Sequence, residues 1–417
     1  MVSVPSPIYP EAARFLNIAR ETGGFGVVPS AGFVSMPVAT FEPTPKVNPI
    51  PDTALRGAMA SPYDFQMGAS WTEMSIGESP VYGDTIGHIL ANVFGDWTDT
   101  GTASTPTGTL SAAVTPGATA LPVASGGASF LAGTLVQVGT TTTAEIVTVG
   151  TGSTSSSVVL STPLRFSHLT AAPVTTVTAP ITHTFATLNP ASSTGLVSGQ
   201  PATHTLLDRN QVAGSAGFFT DQFPYVCFSE LELTGKPLGY LSWSGKATSQ
   251  PQGTVSAPAA ASFGTVRGIP AWRGTSTVAG TAISDVASWT ITLSRDVKPI
   301  PTIDGTQGVY VISRGPLTGT FALDYSPALD ESALNLLLNN TQPTLQWSTS
   351  NGLPGANLVS FTVNAELGAV TEAPLAVTDN LFSYNVSGTL VGNMTNIGNS
   401  GGWGIATITL VNAIGSY

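Results

Sequence analysis

Charge is what this 417-residue chain has least of: Asp, Glu, Lys and Arg make up 9% of it, against roughly 25% in an ordinary soluble domain. A surface so poor in charge suits burial against neighbouring subunits, and the chain is expected to assemble. There is no run of Lys and Arg, and 13 basic against 24 acidic residues leave a formal net charge of −11. Tight, sequence-independent binding to phosphates needs a basic footprint, so a nucleic-acid clamp is excluded. Cysteine is nearly missing as well. Cys227 alone allows neither a disulfide within the chain nor a Cys-based metal site, and its place between Val226 and Phe228 makes it a small buried side chain. No segment approaches the length of a membrane span, and the start of the chain has no basic region followed by an apolar core. The expectation is a chain soluble where it is made, with no membrane partner.

Catalytic constellations are missing too. Gly398-Asn399-Ser400-Gly401-Gly402 satisfies the Gly-x-Ser-x-Gly pattern, but a nucleophile elbow needs a helix after the serine and a His base nearby. A strand-like run, 405–411, follows instead, so the motif reads as a Gly-rich hairpin loop. The histidines His88, His168, His183 and His204 include no pair at the i, i+4 spacing of a zinc helix. His183 and His204 are able to approach through neighbouring strands, but nothing marks a third ligand. His88 lies off the apolar stripe of its helix and reads as a surface or interface residue. Asp96 and Asp99 beside Gly101 are too sparse for a calcium loop. Arg267 and Arg273 beside Trp272 form a possible base-stacking group, but without a basic groove a contact to another subunit is the better account. The chain is read as a non-enzyme, with no catalytic residue, no cofactor and no metal.

What is present is β structure. In the second half, 289–294 and 320–325 alternate apolar with small polar residues, the period-2 pattern of a sheet with one buried face. A helix follows, with Ser326 placed to cap, Pro327 in its first turn, and Leu334, Leu337 and Leu338 on one face. Asp330 and Glu331 suit the dipole of its first turn. Strands at 345–348, 358–366, 381–391 and 405–411 complete a mostly antiparallel module.

The first half contains the same order of elements. Pro49-Ile50-Pro51 follows a strand at 36–41 and precedes a strand at 70–76, then Ser79-Pro80 and a helix at 84–94. Pro299-Ile300-Pro301 occupies the same place in the second half. In the first helix Asp84 is the expected N-cap, Ile86, Ile89, Leu90, Val93 and Phe94 share a face, and Gly95 ends it. Strands at 202–207, 225–234 and 239–246 follow. The fold class expected is therefore mainly β: two similar β-sandwich or barrel modules, each with one flanking α-helix, plus a small inserted β domain. The boundaries are an N-terminal arm at 1–32, a first module at 33–103 and 181–250, an insert at 104–180, a linker at 251–283 and a second module at 284–417. Too long for a plain loop, the insert carries short strands at 133–138, 144–149 and 157–160 and should project outward. In the arm, 15–21 reads as a short helix or an edge strand.

Three segments carry a resemblance. Phe15-Leu16-Asn17-Ile18-Ala19-Arg20-Glu21-Thr22-Gly23-Gly24-Phe25-Gly26, Asp52-Thr53-Ala54-Leu55-Arg56-Gly57 and Pro80-Val81-Tyr82-Gly83-Asp84-Thr85-Ile86-Gly87-His88-Ile89-Leu90 resemble the tail tube (major tail) proteins of long-tailed, siphovirus-type bacteriophages. The runs 225–246 and 288–295 look like the core strands of that family. The resemblance implies a structural virion protein, made in the host bacterial cytoplasm. Its rings stack into the hollow tail tube through which DNA leaves the capsid without being tightly bound. It also implies partnership with itself, with a tape measure protein and with other tail proteins. Two modules per chain make a trimeric ring with pseudo-sixfold symmetry the expectation, and six chains the alternative without true duplication. The rival readings are another phage capsid or decoration protein, and a secreted β-rich adhesin.

Overall fold

The computed structural model describes residues 14–22, 24–54, 61–140, 143–189, 200–211, 218–254, 263–264, 267–283, 285–302, 309–325, 332–378, 381–415 and 417. Among these the chain is mainly β, with antiparallel sheets and two α-helices, α1 (Ile86–Phe94) and α2 (Ser332–Leu338). No helix among the described residues is long and apolar enough to cross a membrane.

The largest sheet contains a continuous eight-strand path. In spatial order it runs Phe41–Asp52, Asp64–Pro80, Ser242–Ser249, Phe218–Gly235, Val286–Pro301, Val309–Tyr325, Leu381–Leu390 and Gly368–Glu372. Met74, Ile76, Leu231, Leu233, Trp243, Ile291, Leu293, Phe321 and Leu323 point to its buried face and share one core cluster with α1. A second sheet packs over that core. Its order is Thr281–Ile283, Thr275–Val278, Leu345–Ser350, Ser360–Ala365, Thr407–Asn412, Pro173–Thr187, Leu135–Val138 and Glu145–Thr148, with Gly95–Thr109 also on Pro173–Thr187. Trp347 on this sheet stacks on Trp289 of the other, ring centroids 5.5 Å apart.

Phe218–Gly235 serves two neighbours in turn. Its first half pairs with His204–Gln211, and its second half with Ser242–Ser249 and Val286–Pro301. At the change of partner Tyr225 takes a left-handed φ of 58°, which a side chain adopts only when its surroundings hold it there. Glu21 is the holding group. Buried itself, it accepts from the Tyr225 N–H at 2.7 Å, the Gly26 N–H at 2.7 Å, Thr205 Oγ1 at 2.8 Å and Thr203 Oγ1. Phe25 stacks on the Tyr225 ring. The segment before Glu21 is the strand Arg14–Arg20, enclosed between Val34–Met36 and His204–Gln211, so it is neither a helix nor an edge.

Several element expectations shift. The proline triplets lie inside strands, within Phe41–Asp52 and at the end of Val286–Pro301, rather than after them. Proline is tolerated in both because each stretch has an unpaired side: Phe41–Asp52 is an outer strand, and Pro299 and Pro301 lie beyond the residues of Val286–Pro301 that pair with Phe218–Gly235. The linker contributes Thr275–Val278 and Thr281–Ile283 to the second sheet. The expected first-helix cap is displaced: Thr85, not Asp84, precedes Ile86, and no side chain caps it, whereas Gly95 ends it at φ 84° as read. His88 is not at the surface. All nine residues of α1 are buried, and Gly87 is what lets the Tyr417 ring lie against it, since a Cβ there would fall 2.3 Å from that ring. Ser326, Pro327, Asp330 and Glu331 lie outside the described residues; Leu337 packs on the core while Leu338 is exposed.

Residues of the insert have a core of their own, including Leu121, Val123, Phe130, Val136, Val147 and Val158. The strands Gly95–Thr109 and Pro173–Thr187 run from the second sheet into it. Glu21→Ala removes an acceptor shared by four donors and should lower the unfolding free energy by about 2–4 kcal/mol. Chemical denaturation of the variant beside the parent chain checks this, and an unchanged midpoint contradicts it.

Candidate functional site

The candidate functional feature of the fold is a pair of sheet edges that no strand among the described residues covers. Within the eight-strand path, a hairpin (Phe41–Asp52 with Asp64–Pro80) is followed in space by Ser242–Ser249 and then by the earlier strand Phe218–Gly235. The next four strands repeat this: a hairpin (Val286–Pro301 with Val309–Tyr325), then Leu381–Leu390, then the earlier Gly368–Glu372. α1 and α2 each follow their hairpin in sequence.

The registers match as well. One row across the first four strands reads Phe41, Ile76, Gly245, Leu231. The corresponding row across the second four reads Ile291, Phe321, Gly388, Val370. Both rows place glycine at the third strand, for a steric reason. A Cβ on Gly388 would lie 2.0 Å from the Ala369 carbonyl oxygen, and one on Gly245 would lie 3.1 Å from that of Glu230.

The two sets join through Phe218–Gly235 and Val286–Pro301, with Leu231 opposite Leu293 and Leu233 opposite Ile291. That junction uses the last strand of one set and the first of the next. Among the described residues, no strand covers the outer edge of Phe41–Asp52 or that of Gly368–Glu372, although on the latter the outward Gly368 N–H already donates to the Pro343 carbonyl at 2.9 Å.

The two hairpins differ in what covers them. In the second, Ile312 is buried against Tyr225 and Cys227, Arg295 donates to the Val93 carbonyl at 3.0 Å and Arg314 to the Asn92 carbonyl at 3.3 Å. Two cations thus sit on the C-terminal carbonyls of α1, where the helix dipole favours them. Burial lowers the pKa of Arg295 to about 10, with Arg314 beside it adding to the effect. The first hairpin sets Trp71 against the same cluster, but among the described residues its outer part has no such cover. Val47, Ile50, Phe65 and Met67 are 42%, 58%, 59% and 68% exposed. Successive residues of a strand face opposite sides, so an unbroken exposed run over residues 44–51 leaves both faces bare.

The face of the eight-strand sheet away from the core carries Thr290, Thr292, Thr320 and Thr389 with Glu42, Glu73, Glu230 and Glu232. The lysines of the sheet are paired, Lys46 with Glu73 at 3.5 Å, Lys246 with Glu230 at 2.9 Å and Lys298 with Asp296 at 2.6 Å.

A buried polar junction behind the core gathers residues whose company the sequence did not announce. Asp99 binds Arg165 at 2.8 Å and His183 at 2.7 Å, and Glu145 binds His168 at 2.9 Å. Glu145 also accepts from the Arg165 and Phe166 N–H groups. The Arg165 guanidinium lies 4.0 Å from the centre of the Trp97 ring. His183 turns its other nitrogen to the Ile414 carbonyl, 3.0 Å away. Burial pushes the Asp99 carboxyl up, but Arg165 and His183 together outweigh it and hold it below its ordinary value.

His88 lies between His204 and Tyr417, and His183 also touches Tyr417. Burial, reinforced by Arg20, lowers the His88 imidazole to about 3. Burial likewise holds His204 well below its usual value, with His88, Arg20 and Arg314 adding to it. Asn92 bridges the change of partner in Phe218–Gly235, donating to the Val226 carbonyl at 2.8 Å and accepting from the Phe228 N–H at 2.9 Å.

Ser400 is 7% exposed. Its N–H donates to Asp96 at 2.7 Å, and its hydroxyl accepts from the Asn189 N–H at 3.1 Å. The Gly-rich loop is thus a tied corner. Cys227 is fully buried, and burial pushes its thiol up to about 11. Arg273 lies over the exposed Trp272 ring of its own chain. Among the described residues, no group of three or more His, Cys, Asp or Glu is arranged to hold a metal ion.

The two low imidazoles fix a pH dependence. Unfolded, each titrates near 6.5; folded, each stays neutral far below that. Stability is therefore present above pH 6.5 and lost as the pH falls from there toward 3, by about 1.4 kcal/mol per pH unit for each fully shifted histidine. His88→Phe should remove about half of that slope between pH 4 and 6, measured by urea unfolding across the range, and an unaltered slope contradicts the assignment. No protein-family model and no curated protein matches this chain.

Proposed function

We propose that this chain is a tail tube protein of a long-tailed, siphovirus-type bacteriophage. Its copies close into rings, and the rings stack into the hollow tube through which genomic DNA passes to the host. One observation carries the reading. The same four-strand order occurs twice, joined last strand to first, and the free edges left over are a first strand and a last strand. A second copy brought up in the same relation sets its Phe41–Asp52 beside Gly368–Glu372 of the first. Repetition of one heterologous contact closes when its rotation divides a circle. With two similar sets per chain, three chains make a ring of six sets, and closure removes both open edges of the eight-strand path.

Two further features support the reading. The bare hairpin Phe41–Asp52 with Asp64–Pro80 offers Ile50, Phe65 and Met67 for contact with a neighbour within a ring or in the next one. The solvent-facing side of the long sheet becomes the wall of the lumen. With its threonines and excess of carboxylates, that wall lets a polyanion slide without holding it. The protein is structural rather than enzymatic, acts in the virion, and meets a tape measure protein and other tail proteins as partners.

Electron microscopy of the concentrated protein tests this, with averaging of any filaments. Hollow tubes of stacked rings, three chains to a ring and an acidic lumen, are expected. Solid fibres, closed shells or a basic lumen overturn the proposal.

A further inference from the structure

The open edge of Phe41–Asp52 is not a plain copy of its internal counterpart. In an antiparallel ladder, successive residues turn their N–H and C=O alternately toward one neighbour and the other. Just ahead of the strand, the Gly77 N–H donates to the Thr40 carbonyl at 3.2 Å. With Phe41 opposite Ile76, this makes the even-numbered residues the ones bonded to Asp64–Pro80. Phe41, Pro43, Pro45 and Val47 therefore turn their backbone outward. Arg14 agrees with this direction, since its Nη2 reaches the Phe41 carbonyl at 2.8 Å from outside the hairpin. Two of the four outward positions are prolines and carry no N–H.

The internal junction supplies the comparison. By the matched rows, Phe41 corresponds to Ile291, Pro43 to Leu293 and Pro45 to Arg295. Leu293, opposite Leu231, keeps the N–H that Pro43 lacks. Across two copies the same relation puts Val370 of one opposite Pro43 of the other.

We infer that Pro43 and Pro45 guard this edge, making the junction between copies weaker than the junction within the chain and holding back strand addition between free monomers. The inference rests on the reading of the two open edges as ring-forming. Assembly then depends on contacts the edge alone does not provide. The exposed side chains of the first hairpin supply them once several copies or an existing ring are in place. A free chain has use for such a guard, because an unguarded edge strand is a template for uncontrolled pairing.

The test restores the missing donors. Pro43→Leu/Pro45→Val places ordinary strand residues at both positions, and sedimentation velocity over a concentration series reads the association of parent and variant. The variant should associate into discrete species at a concentration about tenfold lower, as expected for two regained hydrogen bonds per junction. Adding Val370→Pro on the opposite edge should cancel that gain. Equal association of parent and variant overturns the guard and leaves the ring reading to the micrographs. A gain that Val370→Pro does not touch overturns the edge pairing itself, and with it the ring. Circular dichroism confirms that the variants fold, and Pro43→Leu alone, opposite Val370, carries the same comparison should the double substitution unfold the hairpin.

Discussion

The pairing of Phe218–Gly235 with Val286–Pro301 is the contact on which the rest of this molecule depends. Buried backbone groups must find partners, and here the last strand of one four-strand set finds them on the first strand of the next. Once that ladder forms, the following hairpin lies over the first half of the chain. Ile312 then reaches Cys227, and Arg295 and Arg314 reach the C-terminal carbonyls of α1. One hydrophobic core accordingly runs through both halves. The chain behaves as a unit because its sheet is continuous, and the same continuity is what leaves two complementary ends.

Opposite the sheet, the molecule is held by charge. Asp99, Glu145, Arg165, His168 and His183 come from strands and loops far apart in sequence and are nearly inaccessible to water. Burying so many ionisable groups is costly unless each is paired and hydrogen-bonded. Asp99 and Glu145 each meet more than one donor, and Trp97 covers the Arg165 guanidinium. Such a cluster commonly adds less to net stability than apolar packing of equal volume, but it ties together Gly95–Thr109, Glu145–Thr148, the loop bearing Arg165 and His168, and Pro173–Thr187.

Much of the strand content was legible in the sequence because alternation is a local signal. The runs around Trp289, Phe321, Trp347 and Phe361 each show it. The strand Phe41–Asp52 was not legible, since Pro43, Pro45, Pro49 and Pro51 argue against a strand until its neighbours are known and its outer edge is seen to be open. His88 was misread for a similar reason. The amphipathic pattern of α1 marks one apolar face, whereas both faces are covered, the polar one by Tyr417 and His204. Neither the open edges nor the buried polar junction was legible: one Pro-Ile-Pro lies in an outer strand and the other in an internal one, and the junction's charged members are spread over 84 residues and share no spacing.

The strands that carry the insert have a mechanical consequence. Gly95–Thr109 and Pro173–Thr187 both pass from the second sheet into the insert, shifting their mutual register between Thr178 and Thr182 and again between Thr175 and Val177, and Asp99 on one of them is ion-paired with Arg165. The insert is therefore a fin rather than a pendant, and torque on it is carried straight into the main body. Only the first half of the chain bears such a fin. A rod made of three chains per layer would carry three ridges, so its outer profile would report threefold order even where its inner wall looked sixfold.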